Sequence, residues 1–117
     1  VLLVEHDPSV REVTAQMLAN LGYSVIQADS GRMALRLLEE GTTVDLLLAD
    51  FAMPGMNGGE LVRAVLARYP KLPGAFITGY AELGELGMSG STVIQKPFRE
   101  ETLANKILAA LAEVSPA

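Results

Sequence analysis

Val44-Asp-Leu-Leu-Leu-Ala-Asp50, followed directly by Phe51-Ala-Met-Pro-Gly-Met-Asn-Gly58, is the stretch that decides the fold. Asp45 to Ala49, apolar from Leu46 on, is too short for a helix and lacks helical spacing, so it reads as a strand buried on both faces. A carboxylate, Asp50, ends it, and a Pro/Gly-rich loop begins at once. In an open parallel sheet, ligands bind beyond the carboxyl ends of the strands. Asp50 is therefore placed at the mouth of such a sheet.

Outward from this stretch, strand and helix patterns alternate. Val1–Val4 is a second apolar run, ended by Glu5-His6-Asp7; Asp7-Pro8 has the form of a helix start. Val10, Val13, Met17 and Leu21 recur at three- and four-residue spacing and predict one buried helical face. Tyr23–Ala28 reads as a strand, and a helix follows with Asp29 or Ser30 as its cap and Met33, Ala34, Leu37 and Leu38 turned inward. After Gly58-Gly59 a third helix carries Leu61, Val62, Val65 and Leu66 and stops at Tyr69-Pro70. Gly74–Thr78 and Thr92–Gln95 are further strands, separated by a Gly-rich segment, Ala81–Ser91, in which a fourth helix is shortened. A last helix bears Leu103, Ile107, Leu108, Leu111 and Val114. Apolar strands alternating with helices predict a single α/β domain over residues 1–117, a five-stranded parallel sheet covered on both sides, in the doubly wound order 2-1-3-4-5.

Composition narrows the function. The 117 residues suit one core, and a net charge of −5 disfavours a phosphate-backbone-binding surface on this domain. No cysteine is present, so disulfide and thiolate-metal chemistry are excluded, which agrees with a cytoplasmic location. No apolar run approaches bilayer-spanning length, and no membrane contact is expected. The start at Val1, inside a strand-like run and not at Met, suggests a piece of a longer protein.

The polar residues at the predicted strand ends are Glu5, His6 and Asp7, then Asp50, Thr78 and Lys96. Right-handed crossovers bring these ends to one edge. Asp7 and Asp50 repel unless a hard cation lies between them, and Mg²⁺ suits two carboxylates with several waters. Lys96 supplies a point charge and Thr78 a hydroxyl. Aspartate is a nucleophile able to form an acyl phosphate. Together these residues suggest phosphorylation of Asp50.

Four pieces carry a family likeness: VLLVEHD at 1–7, DLLLADFAMPGMNG at 45–58, FITGY at 76–80 and VIQKPF at 93–98. In this order the chain resembles a response-regulator receiver domain of bacterial two-component signalling, with phrasing similar to receivers of hybrid sensor histidine kinases. The resemblance implies that Asp50 accepts phosphate from a histidine kinase or a phosphotransfer domain. It implies that Asp7, Asp50 and the backbone carbonyl of Ala52 hold Mg²⁺, that Thr78 is a switch hydroxyl, that Lys96 contacts the phosphate, and that the Lys96–Pro97 peptide is cis.

Three departures from the family pattern stand out. His6 occupies the place expected of an acid that aids the metal through water, so metal binding and phosphorylation are expected to weaken from pH 7 to pH 6 as imidazole gains charge. Glu5 is another candidate acid, which strand alternation is expected to turn away. Val93 stands where receivers often carry a switch aromatic, with Tyr80 as a substitute. The short 81–91 segment disfavours the usual symmetric dimer, leaving a monomer or a weak, non-standard one. Two other functions compete: an interaction module never phosphorylated, and an aspartyl-phosphatase enzyme, which Ala52 disfavours by leaving no second acid two residues after Asp50. Met53 and Met56 are expected to pack, and Arg32, Arg36, Arg63 and Arg68 to face solvent.

Overall fold

The computed structural model describes residues 1–51, 53, 55–78, 92–96 and 98–112. Five strands, β1 (Leu2–Val4), β2 (Ile26–Ala28), β3 (Leu47–Asp50), β4 (Gly74–Thr78) and β5 (Thr92–Gln95), pair in parallel in the order β2-β1-β3-β4-β5. Four helices are described: α1 (Pro8–Asn20), α2 (Gly31–Glu39), α3 (Gly58–Arg68) and α4 (Glu100–Ala112). The expected doubly wound parallel fold, with strand order 2-1-3-4-5, is what forms. Three expectations fall outside the described residues: the shortened helix of 81–91, the aromatic role of Tyr80, and the cis peptide at Pro97.

Side-chain alternation divides the core in two. Leu2, Val4, Leu47, Ala49 and Phe76 pack with α2 and α3, while Leu3, Leu48, Ala75, Ile77 and Ile94 pack with α1 and α4. Each strand is apolar on both faces because helices cover both, as a parallel sheet requires.

Local chemistry sets the helix ends. Asp7 caps α1 by accepting from the Ser9 and Val10 amides, and Ser30 caps α2 through the Met33 amide. Asn57 and Glu60 form a reciprocal capping box at the start of α3. Gly22 and Gly41, at φ 96° and 91°, turn the chain out of α1 and α2 in the left-handed region that other residues avoid.

Two sequence expectations change. β2 begins at Ile26, not Tyr23, because residues 21–23 serve the exit of α1: the Tyr23 amide donates to the Leu18 carbonyl at 3.0 Å. The buried face of α1 is Thr14, Ala15 and Leu18, and Val13 is 57% exposed. Met33, expected inward, is likewise exposed, as are Leu66 and Leu108 on the later helices. Met17 and Leu21 are partly buried against the same core as Ala15 and Leu18, and Val10, Val13 and Met17 line a groove of about 390 Å³ with Phe98 and Lys96.

Candidate functional site

The β1–β3 register pairs Leu3 with Leu48 and Val4 with Ala49, so the next step brings Glu5 level with Asp50. Both point to the face occupied by Leu3, Leu48 and Ile94, where the strands end. Lys96 lies two residues beyond Ile94 and shares that face by the same two-residue period. Its Nζ stands 3.4 Å from Asp50 Oδ2 and 3.5 Å from Glu5 Oε1. Asp50 is 5% exposed and Glu5 2%, so one ammonium group bridges two carboxylates withdrawn from water.

Burial raises the Asp50 carboxyl to about 6, aided by repulsion from Glu5 and opposed by the Lys96 cation. A buried like-charged neighbour and loss of water both disfavour the anion. Asp50 is thus about half ionised near pH 6, mostly protonated below it and mostly ionised above it.

The acid that meets Asp50 is Glu5, which alternation was expected to turn away. The two-residue period gives the reason: Glu5 shares the parity of Leu3, and Leu3 lies on the Leu48–Asp50 face. Asp7, expected beside Asp50 as a cation ligand, instead spends Oδ1 on the Ser9 and Val10 amides at 2.9 and 3.3 Å on an exposed helix start. β1 ends at Val4, so strand alternation does not carry Asp7 back to the rim. His6 is exposed between them.

The loop after Asp50 is anchored beneath the site. Gly58 begins α3 directly against the end of β3: a Cβ there would stand 2.7 Å from the Asp50 carbonyl oxygen and 2.8 Å from Phe51 Cα. The Gly58 amide donates to the Phe51 carbonyl at 2.9 Å, and Phe51 meets Phe76 edge-on. Met53 is buried and Met56 half-buried, as expected of packing residues. Arg68 faces solvent as expected and pairs there with Glu39, both side chains staying exposed. Thr78 ends β4 level with Gln95 on the β5 edge; its hydroxyl, like the Ala52 carbonyl and Pro97, lies outside the described residues.

The donor set fits a hard divalent cation. Glu5 Oε1 is buried without a hydrogen-bond partner among the described residues and lies beside a second buried carboxylate. Two carboxylate oxygens leave room for the waters that Mg²⁺ retains. Among the described residues, no three His, Asp or Glu side chains gather closely enough to cage a metal by themselves.

Residues 1–108 match the family described as the response regulator receiver domain. The chain belongs to that family. This receiver domain is 35% identical over 116 residues to the chemotaxis protein CheY of Pseudomonas aeruginosa, covering 92% of the chain and 91% of CheY. It is 41% identical over 83 residues to the sensor kinase CckA of Brucella abortus, covering 70% of the chain but 9% of that kinase. A receiver-domain crystal structure from Clostridium thermocellum shares the fold, with a TM-score of 0.87 over 95% of this chain and 92% of that one at 23% identity. The domain is therefore a two-component signalling module, of a family that generally uses Mg²⁺ and interacts with histidine kinases or phosphotransfer proteins. No described helix is long and apolar enough to cross a membrane.

Proposed function

We propose that Asp50 is the phosphoacceptor of this receiver, taking a phosphoryl group from a phosphohistidine and changing partner contacts when charged. The observation that carries this is the buried Glu5–Lys96–Asp50 cluster at the carboxyl rim. An Asp50 carboxylate oxygen attacks phosphorus, the P–N bond of the donor breaks, and its electron pair leaves with the imidazole. The product is an acyl phosphate on Asp50. Lys96 then faces the new phosphoryl oxygens with the charge it now divides between two carboxylates. Bound Mg²⁺, held by Glu5 and Asp50 and, by family resemblance, the Ala52 carbonyl, would neutralise the transferring oxygens. The Thr78 hydroxyl is assigned its switch role on resemblance alone.

The groove of Val10, Val13, Met17 and Phe98 runs to the Lys96 stem. An amphipathic helix of a histidine kinase or phosphotransfer domain seated there would bring its histidine to Asp50. The 41% identity to a sensor kinase supports a place in a hybrid kinase, where the domain would act in the cytoplasm on phosphate drawn from ATP. The net charge of −5 supports a protein partner over nucleic acid.

The test is incubation with Mg²⁺ and acetyl phosphate followed by intact-mass measurement. A labile gain of one phosphoryl group, absent in Asp50→Asn, is expected; no gain at any Mg²⁺ concentration overturns the proposal. Val13→Glu should slow transfer from a protein donor while leaving acetyl phosphate labelling intact.

A further inference from the structure

Glu5 is held at every polar atom but one. Its amide donates to the Ala28 carbonyl at 3.0 Å. Its carboxylate Oε2 accepts from the Asp7 amide at 3.1 Å. Its backbone carbonyl, past the end of the β1 ladder, accepts from Arg11 Nη1 at 2.9 Å. The remaining atom, Oε1, has no hydrogen-bond partner among the described residues and faces Lys96 beside Asp50.

We infer that Arg11 is a positioning residue for the phosphoacceptor site, acting through the main chain of residues 5–7. The inference rests on the phosphoacceptor reading of Asp50. The Glu5 carbonyl and the His6 amide form one planar peptide unit, so a guanidinium fixed on that carbonyl fixes the plane. The plane sets the direction of the turn through His6, and the turn aims the Asp7 amide at Glu5 Oε2. With Oε2 occupied, the carboxylate has one orientation, and Oε1 is presented to the cation site. Without Arg11 the strand-end carbonyl is free to turn to water, the 5–7 turn loses its anchor, and Glu5 samples several orientations.

Arg11 also ties two elements together. It lies one turn into α1, whose Asp7 cap and Arg11 amide-to-Asp7 carbonyl bond at 2.9 Å hold the same turn from the other side. Arg11 is half-buried, and among the described residues it forms no salt bridge, so its charge is not spent on a carboxylate. A planar donor fork on a carbonyl is a directional contact. Lysine, with one rotating ammonium, can reproduce the bond but less of its direction.

Three variants of the intact domain test this: Arg11→Ala, Arg11→Lys and, as a control on the parent reading, Asp50→Asn. Mg²⁺ affinity is measured by calorimetry, phosphoryl uptake with acetyl phosphate by intact mass, and exchange of the Asp7 amide by NMR, all well below the melting temperature. Arg11→Ala should weaken Mg²⁺ binding by about tenfold, the scale on which groups orienting metal ligands act. It should speed exchange at Asp7 while the Leu18 amide is unchanged, and Arg11→Lys should recover much of both. A merely structural role would lower the melting temperature and leave Mg²⁺ affinity and Asp7 exchange as in the wild type; that result overturns the inference. If wild type takes up no phosphoryl group, the Asp50 reading fails separately, and Asp7 exchange in Arg11→Ala still decides whether Arg11 holds the turn.

Discussion

Glu5 and Asp50 share one cation: Lys96 Nζ lies 3.5 Å from the first and 3.4 Å from the second, at the sheet rim. Two buried carboxylates with one ammonium are left with an excess negative charge, the condition that draws in a divalent ion and disfavours Asp50 ionisation. Lys96→Met keeps the stem and removes the charge. It should push the Asp50 carboxyl above its present value of about 6 and slow uptake from acetyl phosphate by about 100-fold, as losing one charge-stabilising group commonly does. Carbon-detected NMR titration of Asp50 reads the first effect, and an unmoved titration would show that Lys96 is not coupled to it.

The raised Asp50 value makes the metal-free domain sensitive to pH in a definite direction. The ordinary carboxyl value is 3.8 and the folded one about 6. The proton is held more tightly in the folded state, so this stabilisation is complete below 3.8 and is lost as pH rises through about 6. Asp50→Asn removes the charge and should therefore stabilise the domain at pH 7.5 in EDTA by about 1–3 kcal/mol. The gain should vanish near pH 4. Urea melts across this range check it; a gain that is constant with pH would mean that Asp50 ionisation is not its source.

Glu5 and Asp7 are separable by conservative substitution. Asp7→Asn keeps an N-cap oxygen, since Asn caps as well as Asp, and should leave Mg²⁺ affinity within about twofold. Glu5→Gln removes a buried carboxylate and should weaken Mg²⁺ by about tenfold or more, since hard cations prefer charged oxygens. Calorimetric titration of both variants decides between them. The reverse ranking would restore Asp7 as the ligand and make the Glu5 orientation irrelevant to the cation.

Much of this was legible because the chemistry is local. Apolar runs ended by Gly, Pro or Asp mark five strands and the four described helices; Asp7 and Ser30 are caps by residue type, whereas Asn57 is the cap of α3 because Gly58 and Gly59, expected to precede that helix, form its first turn; and right-handed crossovers alone bring Asp50 and Lys96 to one rim. Glu5 is a candidate acid in the sequence, and only its direction differs from expectation, for a reason the two-residue period supplies. Leu3 and Leu48 have the same parity as Glu5 and Asp50, so placing β1 against β3 in register turns both acids the same way. Three residues later the strand rule no longer applies, and Asp7 obeys the helix instead. The face of α1 was misread because Val10, Val13 and Met17 satisfy helical spacing as well as Thr14, Ala15 and Leu18 do. Spacing defines a stripe only to within about a residue: α1 is turned toward Thr14, Ala15 and Leu18, with Met17 and Leu21 at the edge of the same core and Val13 left in solvent.

Gly58 carries the last prediction, and its sign is opposite to the usual one. Replacing a helical glycine with alanine commonly stabilises by about 1 kcal/mol, since alanine has less backbone entropy to lose. At Gly58 the added Cβ would stand 2.7 Å from the Asp50 carbonyl oxygen and 2.8 Å from Phe51 Cα, both main-chain atoms that cannot swing aside. Either α3 lifts from the sheet or the peptide after Asp50 rotates. Gly58→Ala should thus destabilise by about 1–3 kcal/mol, the cost of forcing a methyl into a packed site, and slow Asp50 phosphorylation because that peptide orients the carboxylate. Gly59→Ala is the matched control: its Cβ would meet the Phe51 ring at 3.2 Å and the Asn57 side chain at 3.3 Å, and side chains can give way. Urea denaturation with acetyl phosphate labelling of both variants reads the two effects together. Gly58→Ala as stable as the wild type, with unchanged labelling, would mean that α3 does not press on the end of β3.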